Sequence, residues 1–563
     1  MDIRKCAGAL LVALTIAIGG CRNEDGDSPP NGDTEKDRTP NFITLVIDDM
    51  GFSDLGSYGG EIPTPNIDEL AEDGVMLNNF YACATSTPTR GMLFTGKDHH
   101  TAGVGFMTST TEKMEEVLQQ EVLNQPNYES RLALDALPFP ELLQQAGYHT
   151  MHTGKWDLGK ETPEYYPSNR GFDVTRGTLL PGGGLHYSRP DGTLQAAQEG
   201  TFVNNGEVIE KFPKQFYSTE YYTDMAIEML DERDTDKPFY LSLCYTAPHT
   251  PLHAPAEVTA KYLDVYAKGW DVIREERFER QKELGLWPED AELPPLPDDV
   301  RSWDELSEEE QMISAKKMAI YAAMVDVLDE NIGRLVSHLK DIGEYENTVI
   351  ILFSDNGAGE LYYGLGPDDE DNSYENLGNW NSRVTHGPEW SYAKNTPLHG
   401  NKGSLYDGGW HTPAIFHYPK AAVSGEISDR IVSVMDIAPT ILEMAEIEYP
   451  DTYDGSPITP MAGISMADMF EGDLEYDPER SLTLELHIAH AVRLGDWKLV
   501  QPLPVTQLSD GDCDLPLHLY NLATDPFELE DIADEEPDIV EELKLLYDQY
   551  AEDNGVIQLP PCP

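Results

Sequence analysis

FITLVIDD, residues 42–49, is a short, continuously apolar run closed by two carboxylates. A strand that is apolar on both sides of its pleat is covered on both faces, as in parallel sheets sandwiched between helices. Runs of the same kind recur at Thr150–Thr153, Phe239–Tyr245 (FYLSLCY), Val349–Phe353 (VIILF) and Pro413–Tyr418 (PAIFHY). Amphipathic stretches separate them. In Met318–Leu339 the residues Ile320, Met324, Val327, Leu328, Ile332 and Leu335 recur at helical spacing and define one apolar face. The alternation predicts an α/β fold with a large, mainly parallel or mixed sheet and helices on both faces. The Pro-rich Leu293–Asp299 reads as a surface excursion. After about residue 481 the pattern changes. Leu482–Leu486 and Trp497–Val500 alternate, and Glu535–Tyr550 is helical in pattern, so a smaller C-terminal part with an antiparallel sheet and a helix is expected.

Four of the strands run into polar groups. Ile47 is followed by Asp48-Asp49, Thr153 by Gly154-Lys155-Trp156-Asp157, Tyr245 leads to Pro248-His249-Thr250-Pro251, and Phe353 to Ser354-Asp355-Asn356-Gly357. Ligands of open α/β sheets bind beyond the carboxyl ends of the strands, so these groups are expected to meet around one pocket. A single Asp there is an ordinary helix or turn cap; four endings of complementary chemistry call for a shared role. Asp48, Asp49, Asp355 and Asn356 offer oxygen ligands without a His or Cys cluster, which favours calcium or magnesium over zinc.

With these residues in place, the chain resembles the sulfatase family. Ser86-Thr87-Pro88-Thr89-Arg90, followed by Thr95-Gly96, is similar to the family signature (Cys or Ser)-x-Pro-x-Arg…Thr-Gly. Asp48-Asp49-Met50-Gly51, Gly154-Lys155-Trp156, Pro248–Leu252, Ser354–Gly357 and Lys402-Gly403…Asp407-Gly408-Gly409 occur in the family's order. Asp98-His99-His100 and Gly269-Trp270-Asp271…Arg274…Arg277…Arg280-Gln281 are similar to bacterial arylsulfatases. The likeness continues through Asp436–Thr440, Gly495–Lys498 and Leu519–Pro526. The resemblance implies the fold of the alkaline phosphatase superfamily and hydrolysis of organic sulfate esters, aryl sulfates foremost.

It also implies a mechanism. Ser86 would be oxidised to formylglycine (3-oxoalanine) by a serine-oxidising maturating enzyme, and the hydrated aldehyde would be the nucleophile. One calcium ion would be held by Asp48, Asp49, residue 86, Asp355 and Asn356. Arg90, one helical turn from Ser86, would stabilise the hydrate, Lys155 and Lys402 would grip sulfate oxygens, and His249 would protonate the leaving oxygen. One position departs from the family: its usual histidine after Gly-Lys-Trp is Asp157. Lys155 and Asp157 are two apart, which in extended chain places both side chains on one side, so Asp157 is a candidate replacement base. Two other readings compete: a phosphate or phosphonate ester hydrolase of the same superfamily, and a catalytically silent lipoprotein that binds sulfated glycans.

The formal charge of −64 over 563 residues leaves no basic surface for phosphate contacts, which excludes nucleic acid as a partner. Spread along folded-looking segments, that charge reads as a solvated acidic surface suited to salt. Arg4-Lys5 and the apolar run Ala7–Ile18 have the form of an export signal. Ile18-Gly19-Gly20-Cys21 resembles the bacterial lipobox. The expectation is an exported, periplasmic or cell-envelope lipoprotein that touches the membrane only through a lipid on Cys21. The organisation expected is a signal at 1–20, a disordered acidic tether at 21–40, a catalytic domain at 41–475 and a C-terminal part at 476–563. Of six cysteines, Cys83 and Cys244 read as buried free thiols, and Cys513 and Cys562 have a pairing open to them in an oxidising compartment.

Overall fold

Strand β1, Asn41–Ile47, lies near the middle of a ten-stranded sheet in the computed structural model. The structure describes residues 38–105, 125–179, 186–195, 198–298, 300–359, 369–453, 455–486, 489–502 and 516–557. In chain order the other strands of this sheet are β2 (Val75–Leu77), β4 (His149–Lys155), β5 (Val174–Thr178), β6 (Phe202–Asn204), β7 (Glu207–Val208), β8 (Phe239–Cys244), β9 (Thr348–Ser354), β10 (Ala414–His417) and β11 (Glu426–Ser428). β3 (Phe80–Tyr81) pairs separately with β12 (Val432–Ser433), and β13 (Thr452–Tyr453) with β14 (Ser456–Pro457). The order is β11-β2-β10-β9-β1-β8-β4-β5-β6-β7. The five strands β9, β1, β8, β4 and β5 are mutually parallel, whereas β10 runs antiparallel to both its neighbours. The sheet is therefore mixed, with a parallel centre.

The apolar runs are continuous because each face has its own cover. Ile43, Leu45 and Ile47 of β1 pack with Leu328, Ile332 and Leu335 of the helix Glu308–Asp341 and with Tyr222 and Met229 of the helix Ser218–Glu232. On the other face Phe42 and Val46 pack with Leu93 and Phe94 of the helix Ser86–Thr95 and with Ile437 and Ile441. Period-two alternation thus sends one strand's residues into two cores. The helix Glu308–Asp341 extends the expected segment at both ends. It starts where Ser307 and Glu310 form a capping box, with the Glu310 N–H donating to Ser307 Oγ (3.3 Å) and the Ser307 N–H to Glu310 Oε2 (2.8 Å).

The C-terminal strands β15 (Ser481–Leu486), β16 (Ala489–Leu494), β17 (Trp497–Gln501) and β18 (His518–Asn521) form an antiparallel sheet in sequential order. One face, with Val492, Leu499 and Leu519, is covered by Leu543 of the helix Pro537–Asn554. The other, with Leu482, Leu484, Ala491 and Val500, joins the core that contains Val46 and Phe94. No helix among the described residues is long and apolar enough to cross a membrane. Cys83 and Cys244 are buried and free, as expected. The signal, the tether up to residue 37, Cys513 and Cys562 lie outside the described residues.

Candidate active site

Register brings the acidic residues together. Ile47 of β1 pairs with Ser354 of β9, so the chain leaves both strands at the same level, and Asp48-Asp49 lies beside Asp355-Asn356. The Asp49 N–H donates to Asp355 Oδ1 at 3.3 Å. Asp49 adopts φ 66, a left-handed conformation that an Asp tolerates better than most residues. Its carboxylate fits because position 359 is glycine: a Cβ there would stand 2.1 Å from Asp49 Oδ2. Asp48, Asp49, Asp355 and Asn356 are all buried.

The helix Ser86–Thr95 presents its first residue to this cluster. Ser86 Oγ lies 3.3 Å from Asp48 Oδ1 and 3.1 Å from Asn356 Oδ1, and Lys402 Nζ donates to it at 3.4 Å. The Asn356 amide is oriented by its Nδ2, which donates to Asp49 Oδ1 at 2.7 Å, so its oxygen is the atom facing Ser86. Thr89 pins the helix, accepting from the Cys83 N–H (2.8 Å) and donating to the Asp355 carbonyl (2.6 Å). One turn after Ser86, the buried Arg90 guanidinium donates to Asp355 Oδ2 (2.8 Å) and to the Lys155 carbonyl (2.9 Å). It braces a site carboxylate and the end of β4 together.

Three cationic or ionisable groups complete the ring. Lys155 Nζ bonds Asp48 Oδ2 at 2.9 Å and stands 3.5 Å from Asp157 Oδ2. Lys402 Nζ bonds Asp49 Oδ1. His249 Nδ1 is 2.5 Å from the Thr250 carbonyl, which can only accept, so Nδ1 carries a hydrogen. Nε2 is left facing the site, 3.4 Å from Asp49 Oδ2. Burial works against the charges on Asp48 and Asp49. Lys155 and His249 beside Asp48, and His249 and Lys402 beside Asp49, nevertheless hold both carboxyls below the usual range. Burial likewise opposes the charge on Lys402, but Asp49, Asp48 and Asp355 raise its pKa.

All the sequence-predicted site residues therefore converge, with one correction to the route. Strand alternation does not align Lys155 with Asp157, because β4 ends at Lys155 and Asp157 takes φ 59. A left-handed turn brings the two side chains together. Asp157 is buried and accepts from Thr87 Oγ1 at 3.0 Å; burial pushes its carboxyl up, only partly offset by Lys155 and Arg90. Gly154, just before, is φ 100, and a Cβ on it would stand 1.9 Å from the Cys244 carbonyl, so only glycine lets β4 approach β8 there.

Sequence reasoning missed three supporting residues. Thr87 orients Asp157, but inside the signature it reads as a spacer. His186 donates from Nε2 to the His249 carbonyl at 2.8 Å; burial holds its ring neutral, with a pKa near 4. Lys394 is buried behind Gly359, 3.5 Å from that carbonyl and 4.1 Å from the Tyr321 ring centre, and burial lowers it to about 8. A lysine that ends a seven-residue helix, Pro388–Lys394, carries no sequence mark of burial.

A parallel-centred sheet with buried oxygen groups at its carboxyl edge, a helix that presents Ser86 to them and flanking cations make up a polar site on an alkaline phosphatase-like fold. The chain belongs to the sulfatase family: the family model described as Sulfatase matches residues 40–447, and that of the N-sulphoglucosamine sulphohydrolase C-terminal region matches 399–552. An uncharacterized sulfatase of Schizosaccharomyces pombe is 39% identical over 93% of this chain and 95% of its own. An arylsulfatase of Klebsiella aerogenes is 34% identical over 76% of this chain and 91% of its own. Among solved structures, that of Ps i-CgsB with k-i-k-neocarrahexaose superposes with a TM-score of 0.64 at 24% identity, over 93% of this chain and 95% of that one. The protein is thus a sulfuric ester hydrolase.

Proposed function

We propose that the protein hydrolyses aryl sulfates, using a formylglycine made from Ser86 and one calcium ion. The observation that carries this reading is the position of Ser86 Oγ between Asp48 Oδ1, Asn356 Oδ1 and Lys402 Nζ. One serine hydroxyl has a single hydrogen for two facing acceptors, whereas a hydrated aldehyde has two hydroxyls. The donor set also fits a hard cation. Asp48, Asp49, Asp355, Asn356 and residue 86 present oxygens, all buried, and Ser86 Oγ stands within 3.3 Å of both Asp48 Oδ1 and Asn356 Oδ1. These five residues would hold calcium. The two groups would supply a nucleophilic hydroxyl and a fixed positive charge opposite the sulfate.

The chain's own residues do the rest. Lys402 places an ammonium group on residue 86 and Lys155 one on Asp48 beside it, to meet the charge that builds on the sulfate oxygens. Arg90 keeps Asp355 and the end of β4 at fixed distance and so holds the hydrate's surroundings. His249 Nε2 gives its proton to the leaving oxygen, with Nδ1 tied to Thr250 so that the ring cannot turn. Asp157, oriented by Thr87, takes the proton from residue 86 that must leave before sulfate is released.

Aryl specificity rests on the 34% identical Klebsiella arylsulfatase. The reading extends to an exported lipoprotein held at the cell envelope through Cys21 and matured by a serine-oxidising enzyme. The test is a substrate panel on matured protein. p-Nitrophenyl sulfate should turn over faster than p-nitrophenyl phosphate or a glucosamine 6-sulfate. Preference for the sugar sulfate would replace aryl with glycan specificity, and preference for the phosphate would remove the sulfate reading.

A further inference from the structure

Lys498, which ends the C-terminal motif Gly495–Lys498, and Glu528, two residues past Leu519–Pro526, meet Asp407 in one buried cluster. Asp407 opens the short helix Asp407–Trp410, immediately after the loop that carries Lys402. Its Oδ1 is 2.5 Å from Lys498 Nζ, its Oδ2 accepts from the Tyr81 hydroxyl at 3.1 Å, and its backbone N–H donates to Glu528 Oε2 at 2.7 Å. Glu528 Oε1 is 2.6 Å from the same Lys498 Nζ. Lys498 comes from β17 and Glu528 from the chain after β18. Lys498 is 0%, Asp407 3% and Glu528 2% exposed, so the triad is out of water.

From Asp407 the connection to the site runs through backbone. The Gly408 N–H donates to the His399 carbonyl (2.7 Å), closing the loop that contains Lys402. The Gly357 N–H, next to Asn356, donates to the Gly409 carbonyl (2.8 Å). The Lys402 N–H donates to the Ala358 carbonyl (3.1 Å), and the Gly403 N–H to the Ala84 carbonyl (2.8 Å), two residues before Ser86. The Asn395 side chain spans the same three strands of chain, donating to the Gly408 (2.8 Å) and Gly400 (3.1 Å) carbonyls and accepting from the Ala358 N–H (3.0 Å). There is no slack in this stack: a Cβ on Gly357 would stand 1.8 Å from the Gly408 carbonyl. A shift of Asp407 must therefore reach Lys402 and Asn356.

We propose that the C-terminal sheet is part of the catalytic apparatus, with Lys498 and Glu528 as positioning residues that hold Asp407 and so fix the Lys402 loop against Asp49 and Ser86. The physical reason is charge. Lys498 is the shared counter-ion of two buried carboxylates, and without it they repel each other. Either Asp407, which keeps His411 Nδ1 at 3.2 Å on its other oxygen, moves away from Glu528, or Glu528, whose carboxyl burial already raises, takes a proton and accepts more weakly from the Asp407 N–H. Either change loosens the first turn after the Lys402 loop. The inference rests on the role given to Lys402 above.

A double-mutant cycle on the full-length matured protein tests it, with folding followed by circular dichroism. Lys402→Met alone should lower kcat by about a hundredfold or more, the loss of one charged contact to the reacting group. Lys498→Met and Glu528→Gln should each fold and lower kcat by about tenfold, with KM changed less than about twofold, because positioning is lost rather than binding. In the Lys402→Met background both should cost clearly less than in the wild type, since one group they position is gone and only the path through Gly357 to Asn356 remains. Glu528→Gln keeps an acceptor for the Asp407 N–H and decides the question if Lys498→Met does not fold. Equal losses with and without Lys402, or wild-type kcat in a folded Glu528→Gln, would overturn the clamp. Wild-type turnover by Lys402→Met would instead remove Lys402 from the chemistry, and the reason for the clamp with it.

Discussion

Lys155 Nζ stands 3.5 Å from Asp157 Oδ2, inside the site and away from bulk water. In the proposed reaction the ion pair would let an acidic residue stand beside an anionic ester. At about 4 Å and an effective dielectric of 20, a unit charge pair is worth about 4 kcal/mol, so the ammonium offsets repulsion of similar size. Asp157→Asn should keep sulfuryl transfer but stall release. Turnover of p-nitrophenyl sulfate should fall by about a hundredfold or more, with one enzyme equivalent of phenol released in a burst and a sulfo group retained at position 86. Asp157→His should preserve activity. Wild-type turnover by Asp157→Asn, without a burst, would take the proton transfer away from this residue.

Thr87→Val removes the hydroxyl that orients Asp157 without changing the shape of the side chain much. The expected effect is a partial version of Asp157→Asn: kcat down by about tenfold and the same burst at smaller amplitude, read by rapid-mixing kinetics. A change in KM alone would show that Thr87 contacts substrate rather than the base.

Chelation should abolish activity, and calcium should restore it better than zinc, because the ligand set is all oxygen. Inductively coupled plasma mass spectrometry should find one calcium per chain in active protein. Recovery with zinc alone would contradict the proposed ligands.

His249→Ala should depend on the leaving group. A nitrophenolate leaves without a proton, whereas a sugar alkoxide does not. The loss on an alkyl or sugar sulfate should exceed that on p-nitrophenyl sulfate by about tenfold or more; equal losses would remove His249 from the acid role.

The central strands were legible because burial on both faces makes them continuously apolar, Asp48 and Asp355 because they follow such strands directly, and His249 because it lies in the short polar turn after one. β10 read equally well as a strand, but its antiparallel direction is set by the path of the chain after the helix Asp407–Trp410, which composition does not encode. Asp157 was legible as a residue and its geometry was not, since a left-handed φ at a non-glycine position leaves no periodic trace. Thr87, Lys394 and the Lys498–Asp407–Glu528 triad depend on contacts between residues far apart in the chain. Nothing local distinguishes a buried lysine from a solvated one.

His100 gives a pH prediction for the join between the C-terminal part and the main sheet. Its Nδ1 is 2.9 Å from Asp98 Oδ1 and its Nε2 is 2.9 Å from Glu485 Oε2 on β15, and Tyr550 of the closing helix donates to Asp98 Oδ2 at 2.8 Å. Burial alone would lower the imidazole pKa, but the hydrogen bonds to Asp98 and Glu485 and their charges raise it to about 9. A pKa raised on folding stabilises fully below the unfolded value of 6.5, and that contribution is lost as pH rises through about 9. Thermal stability should therefore fall between these pH values by on the order of 3 kcal/mol, and His100→Gln should be less stable at neutral pH but flatter across that window. A wild-type profile as flat as the variant's would show that His100 is not charged.

The proposed reaction requires a formylglycine at residue 86. The most direct measurement is the mass of the peptide spanning residue 86, taken on the sample whose p-nitrophenyl sulfate turnover is measured. Co-expression with a serine-oxidising maturating enzyme should yield a peptide lighter than the encoded one by two hydrogens, and activity should rise in proportion to the converted fraction. Full turnover by protein whose peptide retains the unmodified serine mass would contradict the account.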